Sequence, residues 1–274
     1  MNWKFTKSKS EEAISFYNKN GFVGFKDLLT RNDVNNLIEA LNEAQSKGAI
    51  KYGVEKVENC NDIVFAHKTF MKYASHKPII ELLVKIIGAE IELQHSKLNS
   101  KPTNDQGGGE FKWHQDFPFF PHTNFDLIAV CLHLDDQNED SGPLKVIPKS
   151  HKSGPLSHCK NGEFVYECTE NINYKNEEII SLTGKAGMVS FHDSLILHSS
   201  KPKKSKSHRR LLFYQYRSKD NCQLSGVIWK SYGIPITKEN KSKGKVRFQD
   251  GTVIENRGVK GKLFDKYQRL KPDV

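Results

Sequence analysis

Hydrophobic residues fall at helical spacing only in the first third of the chain. The stretch "SEEAISFYNKNG" opens on an acidic turn and closes on Gly21, and "TRNDVNNLIEALNEAQSKG" runs from a polar cap to Gly48 with Val34, Leu37, Ile38 and Leu41 on one face. Both predict amphipathic helices, and the apolar "FVGF" between them predicts a short strand. A third helix is predicted over "HKPIIELLVKIIG", where Pro78 suits the first turn and Gly88 the end. From Glu90 onward the pattern changes to short runs, "EIELQHSKLN", "FKWHQD", "LIAVCLHL", "GPLKVIP", "GMVSFH" and "RRLLFYQYR", separated by Gly, Pro, Asn and Asp clusters. Helices first and strands afterwards predict an α+β protein, mainly β, with a barrel or sandwich core flanked by N-terminal helices. "GKVRFQDGTVIENRG" predicts a hairpin over 245–258 turning at Asp250-Gly251, and Gly107-Gly108-Gly109 predicts a rim loop. The run "KPKKSKSHRR" reads as a loop.

Composition narrows the class without naming it. A chain of 274 residues exceeds an average domain, yet all-β units of roughly 200–250 residues commonly form one unit. Residues 1–274 are therefore expected to form a single domain whose strand-built core occupies about 90–217. No stretch approaches the roughly 20 apolar residues of a membrane span, and "MNWKFTKSKSEEAIS" lacks the apolar run of a secretory signal. The expectation is a cytoplasmic protein with no membrane partner, monomeric or homodimeric. Five cysteines (Cys60, Cys131, Cys159, Cys168 and Cys222) without CxxC spacing argue against a disulfide framework or a structural zinc site. Cys131, inside "LIAVCLHL", is read as a small core residue. The net charge of +10 is unevenly placed, since Lys201 to Val274 holds 20 Lys+Arg against 6 Asp+Glu. That excess is dispersed and lacks aromatic interleaving, so it is read as solvated surface, and no nucleic-acid partner is expected.

Candidate chemistry concentrates at His114-Gln115-Asp116, with His198 further along in "SFHDSLILHSS". Two imidazoles and one carboxylate are the ligand set of a non-haem Fe(II) oxygenase site, leaving other positions of an octahedral ion open. An HxD pair suits a strand, where residues two apart share a face. The same ligand types around zinc would serve a metal-dependent hydrolase, and a non-catalytic metal-binding jelly roll is a further alternative. The strand "QHSKLNSKP" sets His95, Lys97, Asn99 and Lys101 at period two, all on one inward-facing side, with His95 and Asn99 as candidate substrate contacts. Trp113, Phe117, Phe119 and Phe120 are read mainly as core, while His122, His133, His151 and His158 have no ligand spacing of their own.

The motifs "GGEFKWHQDF", "SGPLKVIPKSHK" and "ILHSS" followed by "HRRLLFYQYR" resemble the phytanoyl-CoA dioxygenase family of Fe(II)/2-oxoglutarate oxygenases, over about Phe22 to Arg217. "EFKWHQD" and "SGPLKVIP" are similar to the ectoine hydroxylase branch. The resemblance implies a double-stranded β-helix, or jelly-roll, core. It also implies an Fe(II) held by His114, Asp116 and His198, with 2-oxoglutarate and O2 as co-substrates. His198 is preferred to His192 because Arg209 lies eleven residues after it, where the family places its 2-oxoglutarate arginine. Ser200 matches a hydroxyl beside that carboxylate, Lys101 matches the 2-oxoglutarate lysine of ectoine hydroxylase, and Lys97 matches a cofactor-contacting position in phytanoyl-CoA dioxygenase. Cys131 departs from the tryptophan that phytanoyl-CoA dioxygenase carries on the cofactor side. Since related halogenases have a small residue at the carboxylate position, Asp116 implies hydroxylation, with succinate and CO2 released. The inward lysines and basic C-terminal third point to a small anionic or zwitterionic metabolite as substrate, and the 245–258 hairpin is expected to cover the mouth.

Overall fold

The computed structural model describes residues 1–50, 58–101, 109–171, 178–239, 241–242 and 244–255. The helices follow their capping signals. α1 (Ser10–Asn20) stops at Gly21, whose φ of 81° lets its N–H donate to Tyr17 O at 2.6 Å. α2 (Arg31–Ser46) begins on a capping box in which Thr30 Oγ1 accepts from the Asp33 N–H and the Asp33 carboxylate accepts from the Thr30 N–H. α3 (Lys68–Ala74) has no counterpart in the sequence pattern, and α4 (Lys77–Ile87) carries Pro78 in its first turn as expected.

The strands, in chain order, are β1 (Lys4–Phe5), β2 (Phe22–Phe25), β3 (Glu58–Asn61), β4 (Ile91–Lys101), β5 (Phe111–His114), β6 (Leu127–His133), β7 (Leu144–Val146), β8 (Cys159–Lys160), β9 (Glu163–Phe164), β10 (Ile180–Ser181), β11 (Val189–Asp193), β12 (His198–Ser200), β13 (Arg209–Ser218), β14 (Ile234–Pro235), β15 (Lys245–Arg247) and β16 (Val253–Glu255). The larger sheet runs β1-β2-β11-β6-β13-β4-β14, with β3 also paired to β4, and the smaller runs β10-β7-β12-β5. Most neighbours are distant in sequence and antiparallel, the arrangement of a jelly roll rather than a meander.

Alternation along the long strands decides what lies on each face. Leu93 and Leu98 of β4, Val130 and Leu132 of β6, Phe191 of β11, and Leu212, Tyr214 and Tyr216 of β13 pack against the helices in the main core. Burying a large apolar side chain contributes about 1.5–3 kcal/mol, so this face anchors the sheet. The Tyr214 and Tyr216 hydroxyls donate to Phe70 O at 2.7 Å and Ala74 O at 2.8 Å, fixing α3 on the sheet. Intervening residues such as Lys97, Asn99, His192, Phe213 and Gln215 face the gap between the sheets. One end of that gap is filled by Trp3, Phe22, Leu144, Val146, Leu182, Met188 and Ile196.

After β13 the chain bridges to His122 at Gln223 and passes the cavity at Val227 and Trp229 before β14 joins β4. The expected C-terminal hairpin is present as β15 paired with β16, with Gly251 at φ 87° in its turn; residues 256–258 lie outside the described set. Arg247 fastens it to Asp126 and Asp220, and Asn124 Nδ2 donates to Arg247 O at 2.9 Å. No described hairpin residue lines the cavity beside His114. The hairpin is thus tied down beside the start of β6, and residues 227 and 229 reach the mouth instead. Gly107 and Gly108 of the expected rim loop lie outside the described residues.

Candidate active site

β5 and β12 are neighbours in the smaller sheet, and their register sets His114 opposite His198. β5 ends at His114, and Asp116 turns at φ −71°, ψ −36° into a short 3-10 turn. The HxD pair therefore straddles a strand end instead of sharing one strand face. Gln115 points away and locks that turn: its amide nitrogen donates to Gly154 O at 2.9 Å and Leu195 O at 2.6 Å, and its carbonyl oxygen accepts from Leu156 N–H at 2.7 Å. One ligand atom from each of His114, Asp116 and His198 lies within 4.8 Å of the others, and the two imidazole centroids are 4.1 Å apart.

The protonation pattern of this trio suits a divalent ion. His114 Nδ1 donates to Lys112 O at 2.7 Å and His198 Nδ1 donates to Ile196 O at 3.0 Å, which leaves each Nε2 lone pair free. Burial lowers both imidazoles, with the neighbouring His114 adding to the effect at His198, so both rings stay neutral. Burial alone would raise Asp116, but the electrostatic influence of the adjacent His198, the hydrogen bond from His192 and the charge of Lys97 outweigh it and hold the carboxyl well below its usual range. His192 Nε2 stands 3.5 Å from Asp116 Oδ2, while His198 Nε2 stands 3.7 Å from Asp116 Oδ1. Two neutral nitrogen donors and one carboxylate fit Fe(II).

Deeper between the sheets, a chamber of about 50 Å³ is lined by Lys97, Asn99, His192, His198, Ser200 and Arg209, among others. Arg209 opens β13 and is only 1% exposed. Its Nη1 donates to Asn99 Oδ1, its Nε has no partner, and no carboxylate among the described residues forms an ion pair with it. Burial brings its pKa down to about 10, still far above neutrality. A buried guanidinium without a counter-charge is costly, and a planar fork matches a carboxylate. Ser200 shares this chamber. Lys101 does not line it: its ammonium donates to Ser200 Oγ at 3.0 Å, to Gly142 O at 3.4 Å and to Lys201 O, behind the serine. Lys97 instead lines both the inner chamber and the cavity outside it. Cys131 is fully buried near Arg209, and burial pushes its thiol up to about 12.

The outer cavity, about 530 Å³, opens from His114 and Asp116 to solvent. His95, Phe119 and Phe120 line it, whereas Phe117 packs in a small core with Leu127 and Leu195. Trp113 faces the other side of the smaller sheet. His158 accepts from Gln115 N–H at 3.0 Å and His122 contacts Phe120 O at 2.6 Å, so both serve the scaffold. Sequence reasoning missed Asn61, Tyr166, Val227 and Trp229 in this cavity and Phe213 and Gln215 in the inner chamber. The only available hint was "GVIWKSYG", an apolar cluster in an otherwise polar C-terminal segment.

Known proteins resemble this chain in sequence and in fold. The model of the phytanoyl-CoA dioxygenase family matches residues 17–211. A probable alpha-ketoglutarate-dependent hypophosphite dioxygenase of Stutzerimonas stutzeri is 35% identical over 155 residues, 54% of this chain and 52% of that protein, so the match spans about half of that relative. An ectoine dioxygenase of Bordetella parapertussis is 27% identical over 246 residues, 80% of this chain and 78% of its own. The crystal structure of EctD from S. alaskensis with 2-oxoglutarate and 5-hydroxyectoine shares the fold with a TM-score of 0.64 at 20% identity, covering 82% of this chain and 84% of that one. With a sequence match across most of its length and a jelly roll that brings two histidines and an aspartate together, the chain belongs to the phytanoyl-CoA dioxygenase family.

Proposed function

We propose that this 2-oxoglutarate-dependent dioxygenase holds Fe(II) through His114, Asp116 and His198, seats 2-oxoglutarate against Arg209 and Ser200, and hydroxylates a C–H bond of a small anionic or zwitterionic metabolite. The observation that carries the reading is Arg209, buried without a carboxylate partner among the described residues in a chamber shared with His198 and Ser200. A zinc hydrolase has no use for such a group, whereas the far carboxylate of 2-oxoglutarate supplies its missing counter-charge. Iron with 2-oxoglutarate and O2 supplies an oxidant that inserts one oxygen atom into a C–H bond, the other ending in succinate as CO2 leaves.

The chain's own residues do the rest. Asn99 accepts from Arg209 and sets the plane of its fork, and Lys101 fixes the Ser200 hydroxyl from behind. Gln115 holds the turn that aims Asp116, and His192 steadies the same carboxylate from β11. The walls of the outer cavity place a substrate carbon near the ligand trio, and a substrate seated there displaces water from it. Succinate release that requires Fe(II), 2-oxoglutarate and O2 together, and that His114→Ala abolishes, is the expected result. Turnover supported by zinc alone, or succinate formation insensitive to His114→Ala, would overturn it.

A further inference from the structure

We propose that the substrate is an amphipathic organic anion, a carboxylate on a cyclic or branched apolar body, with its acid on Lys97 and its body between Trp229 and Phe119. The inference rests on the Fe(II)/2-oxoglutarate reading above and deepens it.

Size and wall chemistry come first. A cavity of about 530 Å³ lies within the span of roughly 300–1,000 Å³ that holds organic ligands, and far exceeds an inorganic oxyanion. Phe111, Phe119, Phe120, Tyr166 and Trp229 line it, surfaces suited to an apolar body. His95, between Phe120 at 5.3 Å and Trp229 at 6.1 Å, is driven down to about 3 by burial and brings no charge near neutral pH. At the exposed rim Lys112 pairs with Glu167 at 2.9 Å, and Glu110 is open to solvent that screens its charge.

Charge at the floor then selects the polar end. Lys97 forms no ion pair with a carboxylate among the described residues, and its ammonium rests 5.5 Å from the Phe213 ring. Within the two chambers, Lys97 and Arg209 face Asp116 as the one buried carboxylate. A divalent ion and doubly charged 2-oxoglutarate cancel one another, so one positive charge remains for the substrate to neutralise. Aromatic walls alone would also accept a cation, but Lys97 repels one.

The wall that selects the body is fixed in place and lies beyond the family match, which ends at residue 211. Asp62 accepts from the N–H groups of Lys230 and Ser231 at 3.0 Å each and from Ser231 Oγ at 2.6 Å, pinning the segment that carries Trp229. Across the mouth Tyr166 is held at φ 59°, a conformation unfavourable for a bulky side chain, and presents its ring 6.0 Å from Phe119.

The test is anaerobic calorimetry on the Fe(II)-loaded protein. 2-Oxoglutarate is titrated first, then a matched set of arylalkanoic and cycloalkanoic acids, their corresponding alcohols, and hypophosphite. The acids are expected to bind about tenfold or more tightly than the alcohols. Lys97→Met should erase that preference and Lys97→Arg should keep it, while Trp229→Ala weakens acids and alcohols alike and leaves 2-oxoglutarate binding intact. The inference is overturned if no acid in the set outbinds its alcohol, if Lys97→Met weakens 2-oxoglutarate instead of the acids, or if hypophosphite saturates the site and Trp229→Ala does not alter it. Failure of 2-oxoglutarate itself to bind would remove the co-substrate reading; normal 2-oxoglutarate binding without acid preference removes only this inference.

Discussion

Arg209 is a cation that the fold buries before any ligand arrives, and that makes it the most sensitive single residue of the site. Arg209→Lys keeps the charge but loses the planar fork and its contact to Asn99. Losing one or two charge-assisted hydrogen bonds, about 1.5–3 kcal/mol, should raise the KM for 2-oxoglutarate by about 10- to 100-fold with a smaller change in kcat, measured by succinate release. An unchanged KM would place the co-substrate carboxylate elsewhere. His192, set aside as a ligand on spacing alone, stands 3.5 Å from Asp116 and acts as a positioning residue. His192→Phe is expected to weaken iron binding by about 10- to 100-fold in a metal-competition titration, with partial rescue by His192→Gln; equal affinity in all three proteins would assign the ring to packing. Residue chemistry was enough to single out His114, Asp116 and His198, which the fold brings together, whereas Arg209 and Ser200 come from the family resemblance and its spacing beyond His198. It did not separate Lys97 from Lys101. Both share one strand face, and only the third dimension shows Lys101 drawn to Ser200 and Gly142 at the strand end while Lys97 reaches the cavity.

Elements with their own local signals were legible, and those defined by their partners were not. α1 and α2 carry caps that any reader of the chain can find, and β4, β6 and β13 coincide with the longest strand-like runs between turn clusters. The three residues of β12 have no periodicity to read; pairing with β5 and β7 makes them a strand and delivers His198. α3 owes its place to two tyrosine hydroxyls from β13, a contact across more than 140 positions of sequence. The segment after β13 is the clearest case, since its course over the cavity depends on Asp62, itself at φ 56°. Asp62→Ala removes three hydrogen bonds to a carboxylate and puts an unfavourable residue in the left-handed region. The expected outcome is a loss of about 1–3 kcal/mol in urea unfolding, faster proteolysis within 222–235, and weaker substrate binding with unchanged 2-oxoglutarate affinity. Asp62→Asn should fall between, because asparagine tolerates the backbone and keeps one acceptor. If proteolysis at that segment did not accelerate, Asp62 would not be its anchor.

For the whole molecule, the jelly roll encloses titratable groups that an all-apolar sandwich would not contain, and this fixes how stability depends on pH. Burial holds His95 and His133 down to about 3 and His122 down to about 4. The unfolded chain titrates these rings near 6.5, so between about pH 6.5 and 4 the unfolded state binds protons that the folded state refuses. Their contribution is fully present above pH 6.5 and is lost as pH falls. The slope reaches about 1.4 kcal/mol per pH unit for each ring, and the Asp193 carboxyl, raised by burial to about 7, offsets part of the total because the fold holds its proton over the same range. Lys101 acts at the other end: burial, with Arg209 beside it, brings its ammonium down to about 7 against 10.5 in the unfolded chain. Its desolvation cost is therefore present below pH 7 and is relieved as pH rises from about 7 to 10.5. Urea midpoints measured from pH 4.5 to 9 should accordingly fall steeply below pH 6.5 and rise gently above 7. Among the described residues the His133 ring makes one long contact, 3.4 Å to Ser190 Oγ, and its Nδ1 has no partner, so His133→Gln should make the acid limb shallower by up to about 1.4 kcal/mol per pH unit without touching the alkaline limb. An acid limb unchanged by His133→Gln would mean that this ring is already charged inside the fold, and the apolar enclosure between β6, β11 and β13 would need another account.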